Sequence, residues 1–127
     1  LSTLLILSKQ IKIEKGLIVP VLDARRDEVY SAVYDSKYNL IQEEKPEIIN
    51  KDSFKQLLKD DKLHLIGSGQ EKCKYLLLEN SNLIFLNNNS YPSSKEMALL
   101  SYKKFTNSDF EDLAYFEPAY LKNFVLN

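Results

Sequence analysis

Apolar residues fall into two rhythms along this chain. Leu4, Leu7 and Ile11 recur at helical spacing behind Ser2 and Thr3, either of which can cap a helix, and the pattern stops before Gly16, where a helix C-terminal glycine would sit. A helix over residues 2–13 is predicted. From Leu17 the period is lost, because residues 17–22 are apolar on both parities, as in a strand buried on two faces. The polar Asp23-Ala24-Arg25-Arg26-Asp27-Glu28 and the β-rich Val29-Tyr30-Ser31-Ala32-Val33-Tyr34 complete a hairpin. Asp35-Ser36-Lys37-Tyr38-Asn39 turns the chain into a third strand, and Pro46 marks that strand as an edge or an interrupted one.

The second half alternates strands and helices. Asn50 or Asp52 can cap a helix carrying Phe54, Leu57 and Leu58; Leu63-His64-Leu65-Ile66 is strand-like; Gly67-Ser68-Gly69 turns into a further helix; Leu83-Ile84-Phe85-Leu86 is again strand-like. Ser93 and Glu96 have capping-box spacing ahead of Met97, Leu100 and Phe105, with Leu99 and Tyr102 widening the stripe. The expected elements are strands at 17–23, 28–35, 40–49, 63–66 and 83–86 and helices at 52–60, 70–79 and 93–106. That order, β-β-β-α-β-α-β-α, predicts an α/β fold with one mixed five-stranded sheet.

Composition narrows the chemistry. The 127 residues suit one domain, and 44% hydrophobic with 28% charged residues is ordinary for a globular chain. Net charge is −1, with eleven charges of each sign in residues 1–63 and six against seven beyond, so neither half has the excess that gripping a phosphate backbone requires. One cysteine, Cys73, excludes an internal disulfide, and one histidine, His64, leaves a zinc site short of ligands, so no metal is expected. The longest opening apolar run, residues 4–7, is too short for a signal-peptide core or a membrane span, and a cytoplasmic setting is expected. The first residue is Leu1 rather than Met, so the chain reads as part of a longer protein.

Four features could carry function. Arg25 and Arg26 are the only arginines against fifteen lysines; they either brace the hairpin through Asp23, Asp27 or Glu28 or reach a partner or phosphate bidentately. Gly67, Ser68 and Gly69, between a strand and a helix, form either a tight turn needing positive φ or a weak candidate for phosphate or adenosine contact. His64 in an apolar strand reads as a satisfied core or half-buried imidazole, and Cys73 as buried packing, so no catalytic residue is assigned. Tyr91, Tyr102, Tyr115, Tyr120, Phe110, Phe116 and Phe124 make the last third aromatic, which suits core packing or a protein interface better than RNA stacking with so few cations nearby.

Three blocks carry a resemblance: Val19-Pro20-Val21-Leu22-Asp23-Ala24-Arg25-Arg26-Asp27-Glu28-Val29-Tyr30-Ser31-Ala32-Val33-Tyr34-Asp35, Gly67-Ser68-Gly69-Gln70-Glu71-Lys72 and Phe116-Glu117-Pro118-Ala119-Tyr120-Leu121-Lys122. Together they resemble the C-terminal half of the TsaB (YeaZ) family, and Ser2-Thr3-Leu4 resembles the helix that closes the family's N-terminal half. The resemblance implies half of an actin/Hsp70-like, ribonuclease H-like ATPase fold. Residues 1–15 would be a helix linking to a missing N-terminal half, and 16–127 the C-terminal subdomain. It also implies a non-catalytic scaffold for a TsaD-like protein in threonylcarbamoyladenosine modification of tRNA, with a TsaE-like ATPase as further partner, tRNA contacted only indirectly, no cofactor, and homodimer formation left open. Arg25, Arg26 and Glu28 are the partner-contact candidates, and Gly67–Gly69 would be a relic of the superfold's adenosine loop. A hydrolase, as the family's M22 glycoprotease name suggests, and a small nucleotide-binding module are the alternatives.

Overall fold

The structure is a computed structural model describing residues 1–86 and 90–122. Its elements are α1 (Thr3–Ser8), β1 (Leu17–Asp23), β2 (Glu28–Asp35), β3 (Leu40–Ile48), α2 (Leu57–Asp60), β4 (Leu63–Ile66), α3 (Gln70–Leu76), β5 (Leu83–Phe85) and α4 (Ser94–Thr106). The strands form one sheet in the order β3-β2-β1-β4-β5. β1 pairs antiparallel with β2 and β2 with β3, whereas β4 runs parallel to both β1 and β5, so the sheet is mixed as expected. β3 is an edge, and Pro46 sits on it opposite Tyr30.

The two-sided apolar run of β1 organises the core. Leu17, Val19 and Val21 pack on one face with Val29, Val33, Leu63, Leu65, Phe54 and Cys73, supported by Leu57, Leu58 and Leu76. Ile18 packs on the other face with Leu4, Leu7, Ala32, Tyr34 and Ile66. Each such fully buried aliphatic contributes about 1.5–3 kcal/mol relative to exposure, so β1 is the strand the fold depends on most.

The helices are shorter than the periodicity suggests. α1 is capped by Ser2, whose Oγ accepts from Leu5 N at 3.1 Å, but it ends at Ser8, whose own hydroxyl donates to Leu5 O at 2.7 Å. Ile11 and Ile13 therefore leave the helix and reach the α1-side core from the irregular segment that follows it. Gly16 caps no helix; its φ of +94° lets the chain pass so close to β4 that an added Cβ would lie 2.5 Å from Lys62 O.

The predicted helix 52–60 is realised only over its last turn. Asp52 N donates to Asn50 Oδ1, and Asn50 N to Ser53 Oγ, so local side-chain bonds hold residues 50–53 as turns. Phe54 then enters the core at φ +62°, a conformation no helix admits. α3 stops at Leu76 because Leu77 is extended. Ile49 and Leu86 lie just outside β3 and β5.

α4 departs furthest from expectation. The stripe of Met97, Leu99, Tyr102 and Phe105 is exposed, Leu99 at 73%, and only Leu100 is half-buried. The aromatics of the last third, expected in the core or at a protein interface, are exposed as well, Tyr115 at 83%, and Phe105 meets Phe110 edge-on at 5.9 Å. Phe124 lies outside the described residues. The apolar period of α4 is genuine, but its contact with α1 leaves most of the stripe exposed.

Candidate functional site

β1 and β4 are parallel, so their C-terminal ends lie on the same side of the sheet, and the two candidate motifs are brought together there. Carboxyl ends of strands are the usual binding edge of α/β sheets. The turn between β1 and β2 is closed by Ala24 N donating to Glu28 O at 3.0 Å and Glu28 N donating to Arg25 O at 3.1 Å. Asp27 O accepts from Ile49 N at 2.7 Å, which ties the turn to the end of β3. Arg26 takes φ +53°, a left-handed conformation uncommon for a residue with a side chain.

Neither arginine braces this turn. Both are exposed, and neither guanidinium makes a hydrogen bond or ion pair among the described residues. Of the two alternatives for these arginines, bracing through Asp23, Asp27 or Glu28 is the one the structure does not show, because lysines from elsewhere take two of those carboxylates. Lys72 of α3, largely buried, donates to Ala24 O and Glu28 O at 2.8 Å each and pairs with Asp23 Oδ1 at 2.5 Å. Lys122 pairs with Glu28 Oε1 at 2.6 Å. Sequence reasoning gave Lys72 no role, although its place on the third residue of α3, just past the glycine turn, is the available signal.

The Gly67-Ser68-Gly69 turn is welded to the same strand end. Gly67 has φ +120°, and a Cβ there would lie 2.2 Å from Val21 O and 2.7 Å from Leu7 Cδ2. Gly69 N donates to Val21 O at 3.0 Å, and Asp23 N donates to Ser68 Oγ at 3.1 Å. The Gly69 amide and the Ser68 hydroxyl that a phosphate would approach are thus engaged by β1, and both glycines are buried. The geometry is that of a tight turn sealing the β1–β4 edge.

The other residues singled out lie apart. His64 is half-buried on β4 with Nδ1 3.2 Å from Leu17 O, at the opposite end of β1 from Asp23. Cys73 is fully buried, and burial, with Glu47 adding to it and Lys72 opposing, pushes its thiol up to about 12. Such a thiol stays protonated and is no nucleophile. Among the described residues no group of three or more His, Cys, Asp or Glu side chains could hold a metal ion. None of their helices is long and apolar enough to cross a membrane.

A cleft of about 710 Å³ opens beside the site, between α1, Leu22, Tyr30 and the segment from Phe116 to Lys122. At its floor the Ser2 hydroxyl donates to Glu44 Oε1. Burial raises the Glu44 carboxyl, and burial likewise raises the Tyr34 phenol. The Lys122–Glu28 pair holds the outer wall of this cleft to the arginine turn.

No family model and no curated protein matches the chain. Solved structures do. A crystal structure described as an uncharacterized protein with similarity to peptidase YeaZ from Pseudomonas aeruginosa superposes with a TM-score of 0.75 at 17% identity, covering 96% of this chain and 57% of that one. YeaZ from Pseudomonas aeruginosa superposes with a TM-score of 0.59 at 18% identity, covering 86% of this chain and 52% of that one. The chain therefore has the fold of these YeaZ-like structures, and it spans little more than half of their length.

Proposed function

We propose that the chain is the C-terminal lobe of a TsaB-like, non-catalytic scaffold that supports a TsaD-like protein in threonylcarbamoyladenosine modification of tRNA, with a TsaE-like ATPase as a further partner. The observation that carries this reading is the YeaZ-like fold together with a glycine turn whose Gly69 amide and Ser68 hydroxyl are bonded to β1. A glycine turn bonded to β1, a protonated Cys73 and a histidine facing a backbone carbonyl support a holding role over a hydrolytic one, because hydrolysis needs a base with a nucleophile or a metal in reach.

The exposed face of α4 supports a second lobe. Monomeric proteins rarely expose contiguous apolar patches beyond about 300–600 Å². Met97, Leu99, Tyr102, Phe105 and Phe110 are all exposed along α4 and the segment after it, and each large aromatic can bury about 150–250 Å². An N-terminal lobe, joined through residues 1–15 beside α1, would cover that face.

A pull-down of the full-length protein that contains this chain tests the reading. Retention of a TsaD-like protein, with tRNA modification lost when the scaffold is omitted, is the expected result. Peptide cleavage by the purified protein with no TsaD-like protein retained would overturn it in favour of the hydrolase.

A further inference from the structure

The two arginines of the chain sit at the tip of a rigid turn with three carboxylates within three residues, yet they pair with none of them among the described residues. Two of those carboxylates are already neutralised: Asp23 by Lys72 and Glu28 by Lys122. The third, Asp27, is exposed beside the arginines and likewise makes no side-chain bond. The turn needs neither guanidinium for its shape, which three backbone hydrogen bonds and Lys72 maintain. Arg26 is nevertheless held at φ +53°, and a non-glycine residue kept there costs about 1–3 kcal/mol unless its surroundings enforce it.

We propose that Arg25 and Arg26 form a docking tip for a protein surface that presents carboxylates, each guanidinium taking one carboxylate through paired N–H donors. The proposal rests on the reading of the chain as a scaffold lobe and names the chemistry of its contact. Two observations favour protein over nucleic acid. The chain has no basic excess to add counter-ion release to two arginines. Ile48, directly across from Glu28 on β3 and 66% exposed, adds an aliphatic contact suited to a protein interface, where arginine beside an apolar anchor is a common hot-spot composition. Arginine rather than lysine at both positions fits a two-pronged contact, since the planar guanidinium matches a carboxylate and an ammonium does not.

With only two arginines, the side-chain Nε–H region of the NMR spectrum contains two resonances, each a direct reporter of the tip. The test titrates the chain with a hexaglutamate peptide, and in parallel with inorganic phosphate and with a single-stranded RNA oligonucleotide. Hexaglutamate is expected to move both Nε–H resonances at about 50 mM salt and to move them less at about 500 mM, where screening shortens to a few ångströms. Arg25→Lys and Arg26→Lys are each expected to weaken the peptide about threefold or more while leaving the urea midpoint in place. Resonances unmoved by the peptide, or moved more by RNA or phosphate at equal negative charge, would overturn the tip. Because the titration uses no TsaD-like protein, moved resonances with a failed pull-down count against the scaffold role alone. A successful pull-down unaffected by the double Arg→Lys change counts against the tip alone.

Discussion

Lys72 Nζ lies 2.8 Å from the Glu28 carbonyl oxygen, so a helix on one side of the sheet closes a hairpin turn whose own arginines leave it open. The same ammonium takes Ala24 O and Asp23 Oδ1 with its remaining donors. All three of its protons are therefore used, which is what permits a lysine to be largely buried. Lys72→Met keeps the aliphatic stem and removes the donors, and should lower stability by about 2 kcal/mol in urea denaturation, the range for hydrogen bonds to a charged group. Arg25→Lys and Arg26→Lys should each stay within about 0.5 kcal/mol of the unmodified chain. A Lys72→Met protein as stable as the parent would show that the turn is held by its backbone bonds alone.

The strands were readable because their signal is local. Residues 17–22 are apolar on both parities, and β1 is buried on both faces; Pro46 marked an edge, and β3 is one. The helices were less readable where a side chain competes with the backbone, as Ser8 does at the end of α1 and Asn50 and Ser53 do ahead of α2. For α4 the helix was readable and its covering was not, since a stripe such as Leu99 and Tyr102 says that a surface wants covering without saying what covers it. Within the site, adjacency in sequence suggested Arg25 and Arg26 as partners of Asp23 and Glu28. The lysines that hold those carboxylates come from 49 and 94 residues away, beyond what local spacing can report.

The glycine turn gives a graded pair of mutations. At Gly67 a Cβ would meet Val21 O at 2.2 Å with φ at +120°, so both sterics and backbone conformation oppose it. At Gly69 φ is ordinary, and the nearest atoms are Val29 Cγ1 at 3.0 Å and Val21 C and Cβ at 3.2 Å, tight contacts that a shift of a few tenths of an ångström would relieve. Gly67→Ala should cost more than about 2 kcal/mol or prevent folding, and Gly69→Ala about 1 kcal/mol. Urea midpoints in the reverse order would mean that the turn relaxes away from β1 when loaded.

Cys73 gives a chemical clock for opening of the core. With its thiol pushed up to about 12 and its side chain sealed beneath β1, the thiolate is scarce in the folded state near pH 8. An ordinary thiol near 8.5 is partly ionised at that pH, so modification by a disulfide reagent should be roughly a thousandfold slower in the native chain than in denaturant. Comparable rates in the two conditions would place Cys73 at an accessible surface and remove the core assigned to it.

Glu44 and Asp35 respond to acid in opposite directions, and the difference isolates the cleft. Asp35 is held below its usual range, chiefly by the Asn39 side chain, with backbone N–H groups of Asn39 and Lys37 adding to it at 2.9 and 2.8 Å. Its contribution is present above the unfolded carboxylate value and is lost as pH falls through the lower folded value. Glu44 is the reverse case: burial raises its folded value, so its contribution is complete below the unfolded value and is lost as pH rises through the folded one. Glu44→Gln freezes the neutral form and leaves Asp35 untouched, so Asp35 cancels when the two proteins are compared at each pH. The variant should match the parent near pH 4 and become the more stable of the two between about pH 5 and 7, as the parent's carboxyl ionises at the floor of the cleft beside Ser2 and Tyr34. Urea midpoints that stay parallel from pH 4 to 7, or a parent that gains on the variant as pH rises, would mean that the Glu44 carboxylate is solvated and that the cleft floor is wetter than its burial indicates.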